Sequence, residues 1–389
     1  MEIEIDLKGA GALSSCAFLF ICYNNFMKQL SDFKSSIHKC SKCGLCQAEC
    51  PIYQVTGNDC TVSRGQFVML KGVLEGELKM SKVINRYLDL CLKCGKCSKF
   101  CPSGIDVVDV IISAKSEYFR AHPIEKLITF LQKYFLVGLI PRIVRTFVRP
   151  TKSQKFDKKV LYFGGCGSKL KGDKAVVKVL NSIGIEVVNP LFHCCGIPYF
   201  VRGDLKEFNN SIKSYIQILK KYDIKEVVTT CASCEKSLKD YIKWAGEPDR
   251  DFLNEIKVKN IYEYLRENNA KLTLKKQVKA TYHKPCNINN FDDIEWLLKN
   301  IENLEYIEMQ GFDKCCGLNG LPKIKEFKIM KNIFVSKRNN IKKSKTKYVL
   351  TSCLGCETAL RLYSFGEYKV CDLIDFIANR IWFYRPYGQ

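Results

Sequence analysis

The sequence has no run of about 20 uncharged apolar residues, the length a bilayer span requires. The uncharged stretch Ala10 to Tyr23 has only 14 residues. Glu2, Glu4 and Asp6 precede it against a single Lys8, the wrong charge for a signal peptide. A complete nucleotide-binding fingerprint is also missing, since Gly9-Ala-Gly11 has no third glycine. No flavin is therefore expected on this chain. Arginine is scarce, with 13 residues against 49 lysines, so the formal charge of +22 reads as a biased composition and nucleic acid is set aside as a partner. Apolar residues at 47% and charged residues at 26% exclude a disordered chain or a fibre.

Cysteine is what the chain has in excess, with 22 residues in 389. A chain this long divides into two or three domains and needs no disulfides to fold. Cysteines in C-x-x-C and Cys-Cys spacings point to metal, and metal-binding thiolates imply a reducing, cytoplasmic compartment.

Cys40, Cys43, Cys46 and Cys50-Pro51 form one motif, and Cys91, Cys94, Cys97 and Cys101-Pro102 repeat it. This is the bacterial ferredoxin spacing. Three cysteines at i, i+3 and i+6 wrap one corner of a [4Fe-4S] cluster, and the cysteine before proline serves the other cluster. The expected ligands are Cys40, Cys43, Cys46 and Cys101 for cluster 1, and Cys91, Cys94, Cys97 and Cys50 for cluster 2. Structural zinc is the alternative, but it gives no reason for two Cys-Pro endings. The long insert between the motifs has helical patterns at 66–74 and 82–90, so this module is expected to be mainly helical. Cys60, within the insert, reads as a buried small residue.

A second cysteine territory is an internal repeat. Cys166, Cys194, Cys195, Cys231 and Cys234 recur as Cys286, Cys315, Cys316, Cys353 and Cys356, at offsets of 120 to 122 residues. The flank Lys225-Glu-Val-Val-Thr-Thr-Cys231 matches Lys347-Tyr-Val-Leu-Thr-Ser-Cys353, and Val258 to Leu265 echoes Val370 to Ile377. Each copy alternates strands and helices, with strands expected near 160–163, 186–188 and 226–230, then 278–282, 304–308 and 348–351. Such alternation predicts a small parallel sheet with its cysteines at the carboxyl edge, facing helix N-termini. The five cysteines of each copy are candidate metal ligands. His193 and His283 flank them, either fixing the local turn or serving as ligand or proton donor. Cys371 reads as the buried start of an apolar helix.

The predicted fold is thus α+β and multidomain: a helical two-cluster [4Fe-4S] ferredoxin module, then two repeated α/β cysteine-rich modules. The expected boundaries are an extension over 1–36, the ferredoxin module over 37–120, a connector over 121–155, and the modules over 156–270 and 276–384. Met27 is read as the natural start. The connector, with Lys126, Lys133, Arg142, Arg145 and Arg149 among apolar residues and a break at Pro141, packs between domains or forms an amphipathic foot.

Two ferredoxin motifs followed by two Cys-Cys-Gly modules resemble the iron–sulfur subunit of glycolate oxidase. The arrangement is also similar to that subunit of anaerobic glycerol-3-phosphate dehydrogenase and to the catalytic part of heterodisulfide reductase. Cys-Gly-Leu-Cys-Gln-Ala-Glu-Cys-Pro-Ile-Tyr-Gln with Ser63-Arg64-Gly65 downstream is closest to the glycolate oxidase type. The chain departs from the family pattern at Asn287, where a second histidine often stands. The resemblance implies an electron-transfer subunit that is not itself catalytic on the hydroxy acid. It would take electrons from an FAD-containing dehydrogenase subunit that oxidises a glycolate- or lactate-type 2-hydroxy acid, and pass them to quinone or another acceptor. A cytoplasmic location follows, with a peripheral place on the inner membrane face as a variant. The resemblance further implies additional clusters, cubane or non-cubane, in the Cys-Cys-Gly modules, and a disulfide reductase as the alternative function.

Overall fold

The computed structural model describes residues 28–132, 151–165, 173–190, 194–288, 290–318 and 327–381. Cys16, Cys22, Met27, Pro141, Cys166 and His193 lie outside them. The amino-terminal module is built from short helices. The principal ones are Ser63–Leu74, Lys82–Leu90 and Val107–Ala121, the first two falling on the expected periodic segments. Their apolar faces (Phe67, Leu70, Ile84, Leu88, Val110, Ile111) pack together, and Cys40, Cys91, Cys97 and Cys101 sit against this core.

The repeat folds twice into one topology. Strands β1 (Lys158–Tyr162), β2 (Ile185–Val188), β3 (Glu226–Thr229) and β4 (Lys257–Asn260) form a sheet in the order β2-β1-β3-β4. Strands β5 (Thr273–Tyr282), β6 (Glu302–Tyr306), β7 (Tyr348–Thr351) and β8 (Lys369–Asp372) form a second sheet in the order β6-β5-β7-β8. Every pairing within each sheet is parallel. A hydrogen bond is repeated too: the Tyr162 hydroxyl lies 3.3 Å from Thr230 Oγ1, and the Tyr282 hydroxyl 2.6 Å from Ser352 Oγ.

Each sheet has four strands where three were expected. The fourth, β4 and β8, is the start of the echoed segment that runs into helices Ile261–Glu267 and Leu373–Ala378. Cys371 accordingly lies within β8, two residues before the helix, and is half-buried. Cys60 is likewise half-buried, in a 3-10 turn.

The two sheets share one hydrophobic core that draws on both copies, from Val160, Val176 and Tyr262 to Leu274, Leu298 and Phe376. Helix Lys174–Asn181 packs on helix Leu373–Ala378, and Lys178 Nζ donates to the Ala378 carbonyl at 2.6 Å. The helical module touches both copies. Helix Val107–Ala121 sends Val108 and Ile112 into the core of the first copy. Ile52 and Leu90 meet Ile333 of the second. A buried ion pair, Lys115 Nζ to Asp89 at 2.7 Å, supports the first contact, because the same ammonium donates to the Val201 carbonyl.

Candidate iron–sulfur centres

The two ferredoxin motifs fold alike. Lys42 and Lys93, each one residue before the second cysteine, take left-handed φ values of 58° and 51°. Gly44 and Gly95, each one residue after it, take 84° and 73°. Glycine adopts such values without a Cβ penalty, and this double reversal is what curls three cysteines of each motif around one point. The Lys93 backbone N–H already points at Cys91 Sγ, at 3.4 Å.

Cys40, Cys43, Cys46 and Cys101 line a solvent-open cleft together with Cys97 and Phe67. Cys50 lies close enough to Cys91 and Cys46 to feel their charge, and Cys97 feels Cys91, Cys94 and Cys50. Burial raises the thiols of Cys50 and Cys97, and it pushes Cys94 up to about 12 with help from Cys286. Buried thiols of this kind become thiolates only when a cation shares the site.

In the repeated modules the cysteines gather at the carboxyl edges of the sheets. Cys231 and Cys353 are the N-cap residues of helices Ala232–Trp244 and Leu354–Leu362, directly after β3 and β7. Cys234 and Cys356 occupy the first turns of those helices, where the partial positive charge of the N-terminus favours thiolates. Cys194-Cys195 and Cys315-Cys316 arrive on the loops after β2 and β6, and Cys286 on the loop after β5. The loops approach sulfur closely: a Cβ on Gly165 (φ 52°) would lie 3.0 Å from Cys234 Sγ.

These edges face each other. The Ala232 N–H donates to the Ser352 carbonyl at 2.8 Å. Ser233 Oγ lies 3.3 Å from Cys353 Sγ and accepts from Asn287 Nδ2 at 3.0 Å. Sulfur contacts run without a break from Cys195 through Cys234 and Cys231 to Cys353 of the other copy. They continue through Cys356, Cys316 and Cys315 to Cys286. Cys286 in turn lies within electrostatic range of Cys94 in the helical module. Lys96, beside Cys97, pins this approach through Asp313 at 3.4 Å and Glu49 at 3.6 Å.

Two basic groups missed as functional by sequence reasoning, or left open there, belong to the second centre. His283 is fully buried, and among the described residues neither ring nitrogen has a partner in good hydrogen-bond geometry. Its ring nitrogen, Cys316 Sγ and Cys356 Sγ lie within 4.8 Å of one another. Burial holds its pKa well below the usual imidazole value, with Lys337 adding to the effect. Lys337 is 1% exposed, and burial brings its ammonium down to about 8 against the pull of Cys315, Cys316 and Cys356. Its signal in the sequence was its place on the apolar stripe Met330, Ile333, Phe334, Ile341. The thiol of Cys316 is lowered to about 5 by hydrogen bonds from Cys315 and Cys356. Soft sulfur donors, buried and mutually hydrogen-bonded beside an orphaned imidazole, fit an iron–sulfur group far better than a hydrated ion.

The chain matches the 4Fe-4S dicluster domain over residues 36–105, and the cysteine-rich domain twice, over 160–239 and 280–361. It is 25% identical to the probable glycolate oxidase iron-sulfur subunit of Bacillus subtilis, across 86% of this chain and 92% of that protein. The glycolate oxidase iron-sulfur subunit of Escherichia coli is 24% identical across 89% of this chain and 95% of its own. A subunit of the dihydromethanophenazine:CoB--CoM heterodisulfide reductase of Methanosarcina mazei is 25% identical, across 73% of this chain and 78% of its own. The resemblance expected from the motifs is therefore found along most of the chain.

Proposed function

Because the chain carries a 4Fe-4S dicluster domain followed by two cysteine-rich domains, we propose that it is the electron-transfer subunit of a flavin-linked 2-hydroxy-acid dehydrogenase. Iron–sulfur clusters, when bound, supply one-electron chemistry. Cys40, Cys43, Cys46 and Cys101 hold one [4Fe-4S] group and Cys91, Cys94, Cys97 and Cys50 the second. The cysteines of the repeated modules hold further iron. The observation that carries this reading is the sulfur path from Cys195 to Cys286, with Cys94 next in line. Buried, low-dielectric sulfur at close spacing is what a conductor of single electrons needs, and it leaves hydroxy-acid chemistry to a partner. That partner is an FAD-containing subunit of the glycolate- or lactate-oxidising type, and quinone or another carrier accepts the electrons.

No described helix is long and apolar enough to cross a membrane. Helix Pro123–Gln132 exposes Ile124, Leu127, Phe130 and Leu131, which supports contact of this region with a partner or a membrane surface. The abutment of Cys231 and Cys353 favours a second reading, in which a disulfide is reduced between the two centres.

Anaerobic capture of the native protein with its partner, followed by iron quantification, tests the assignment. A flavoprotein and iron in several-fold excess over protein are expected. Turnover with a hydroxy acid should depend strictly on that flavoprotein. Disulfide reduction by the pre-reduced chain alone would instead favour the second reading.

A further inference from the structure

The two cysteine-rich modules repeat almost position for position, yet their surroundings differ in charge. The helix Leu205–Tyr222 of the first copy corresponds to Phe327–Lys343 of the second. Gly196 and Gly317 fix the alignment. A Cβ on Gly196 would meet Phe208 and Ser211, and one on Gly317 would meet Met330 and Ile333, both pairs 122 residues apart. The same offset sets Lys337 where the first copy has Tyr215. An offset of 120, that of Cys286 from Cys166, sets His283 where the first copy has Phe163. In the first copy Phe163 and Tyr215 meet edge to face, their centroids 5.8 Å apart. An aromatic pair has thus been exchanged for two bases, at one of two otherwise matching sites.

Lys337 is held for a purpose other than packing. Its ammonium donates to the carbonyls of Gly311 at 2.7 Å and Phe312 at 2.9 Å, on the loop that leads into Cys315-Cys316. Among the described residues no carboxylate lies within ion-pair distance of it, because Asp313 is drawn to Lys96 at 3.4 Å. The charges that answer it are first the sulfurs of Cys315, Cys316 and Cys356, and then, from beyond ion-pair distance, the Asp313 carboxylate. A buried cation without a carboxylate partner is costly, and it is offset only by negative charge on what those sulfurs hold. Adding one electron increases that negative charge. A fixed ammonium nearby therefore favours the reduced state, at a range where water screens little.

We propose that Lys337 is the potential-setting residue of the second cysteine-rich centre, making it easier to reduce than the first, where neutral Tyr215 stands. This rests on the reading that both centres hold iron. The second centre lies beside Cys94, so the more oxidising site is the one adjoining the dicluster module. Electrons entering from that module are held there, ahead of the first centre.

The test uses the full chain, reconstituted with iron and sulfide without oxygen, in wild-type, Lys337→Met, Lys337→Gln and Lys337→Arg forms. Gln keeps a donor for the carbonyls but removes the charge, whereas Arg keeps the charge. Iron content is measured first, and midpoint potentials then follow from a redox titration read by electron paramagnetic resonance. The second-centre signal is identified by its loss in Cys316→Ser. Met and Gln should load as much iron as wild type and reduce at least tenfold less favourably, about 59 mV lower for one electron. Arg should stay within half of that change, and the dicluster signals should not move. Unchanged midpoints in both Met and Gln, with full iron, overturn the proposal. A wild-type chain with no signal sensitive to Cys316→Ser overturns instead the reading that the second centre holds iron.

Discussion

Gly203 of the first cysteine-rich module lies tight against the backbone of the helical module, and replacing it with alanine tests the strength of that contact. Its φ is 86°, and a Cβ there would lie 2.6 Å from the Lys115 carbonyl carbon and 2.7 Å from the Ser116 nitrogen. Both are backbone atoms inside helix Val107–Ala121, whose Lys115 and Ser116 are buried, so the clash cannot be relieved by turning a side chain. A left-handed alanine costs about 1–2 kcal/mol, and forcing an extra methyl into a packed contact costs about 1–3 kcal/mol more. Restricting the unfolded chain returns about 0.4–1 kcal/mol. The net expectation for Gly203→Ala is a loss of about 2–4 kcal/mol. Gly76 provides the control, since its φ is 78° and nothing lies within 4 Å of its Cβ position. Gly76→Ala should lose about 1 kcal/mol or less. Urea unfolding of both variants, followed by tryptophan fluorescence and by iron absorbance, compares midpoints at a shared m-value. If Gly203→Ala lost no more stability than Gly76→Ala, the close approach would not hold the modules together and the reasoning would fail.

Three further outcomes are expected. Cys43→Ala should cost the iron of one cluster while leaving the fold intact, and turnover from flavoprotein to acceptor should stop; normal turnover would contradict the ligand set. Lys115→Met should destabilise by about 3 kcal/mol, because the Asp89 carboxylate stays buried after its ammonium is removed, and Lys115→Met with Asp89→Asn should recover most of that loss in the same urea assay. Asp109, raised to about 6 by burial and then by Asp106, keeps its proton in the folded state after the unfolded chain has shed it. Its favourable contribution is complete below the ordinary value of 3.8 and is lost as pH rises through 6. Asp109→Asn should therefore flatten the fall in stability between pH 4 and 6 and be about 1–3 kcal/mol more stable than wild type at pH 7.5, read from unfolding midpoints.

What was legible in the sequence follows from the range of each interaction. The ferredoxin motifs are local: Lys42 and Gly44, like Lys93 and Gly95, set the reversals within a few residues of the cysteines they serve. The repeat was legible because two copies of one strand-loop-helix pattern restate each other. Strands β4 and β8 were not read as strands. Lys257-Val-Lys-Asn and Lys369-Val-Cys-Asp are four residues long, half charged, and bonded along one edge only, so neither periodicity nor β-branching marks them. Their repetition was visible, but its meaning required the pairing partners β3 and β7. The approach of Cys94 to Cys286 joins positions 192 residues apart and leaves no pattern between them. Lys337 is the instructive miss. It stands among many lysines in a helix that looks solvated, and only the stripe through Met330, Phe334 and Ile341 sets it apart.

The asymmetry between the copies answers a problem that duplication creates. Two parallel sheets of one order bring their carboxyl edges together, with Ala232 bonded to Ser352 and Cys231 touching Cys353. The helix N-termini at Cys231 and Cys353 make each edge receptive to anionic groups, so iron–sulfur groups held at both would be two negative centres side by side in a medium that screens poorly. Identical centres in that position would have equal potentials in isolation, and reducing either would make the other harder to reduce. A cation buried beside one of them would lift the degeneracy. Lys337 acts on Cys315, Cys316 and Cys356 of the second centre, and the first copy carries no base at the matching position. A duplicated fold would thus become directional through a local exchange, Phe163 and Tyr215 in one copy for His283 and Lys337 in the other, with all five cysteine positions kept.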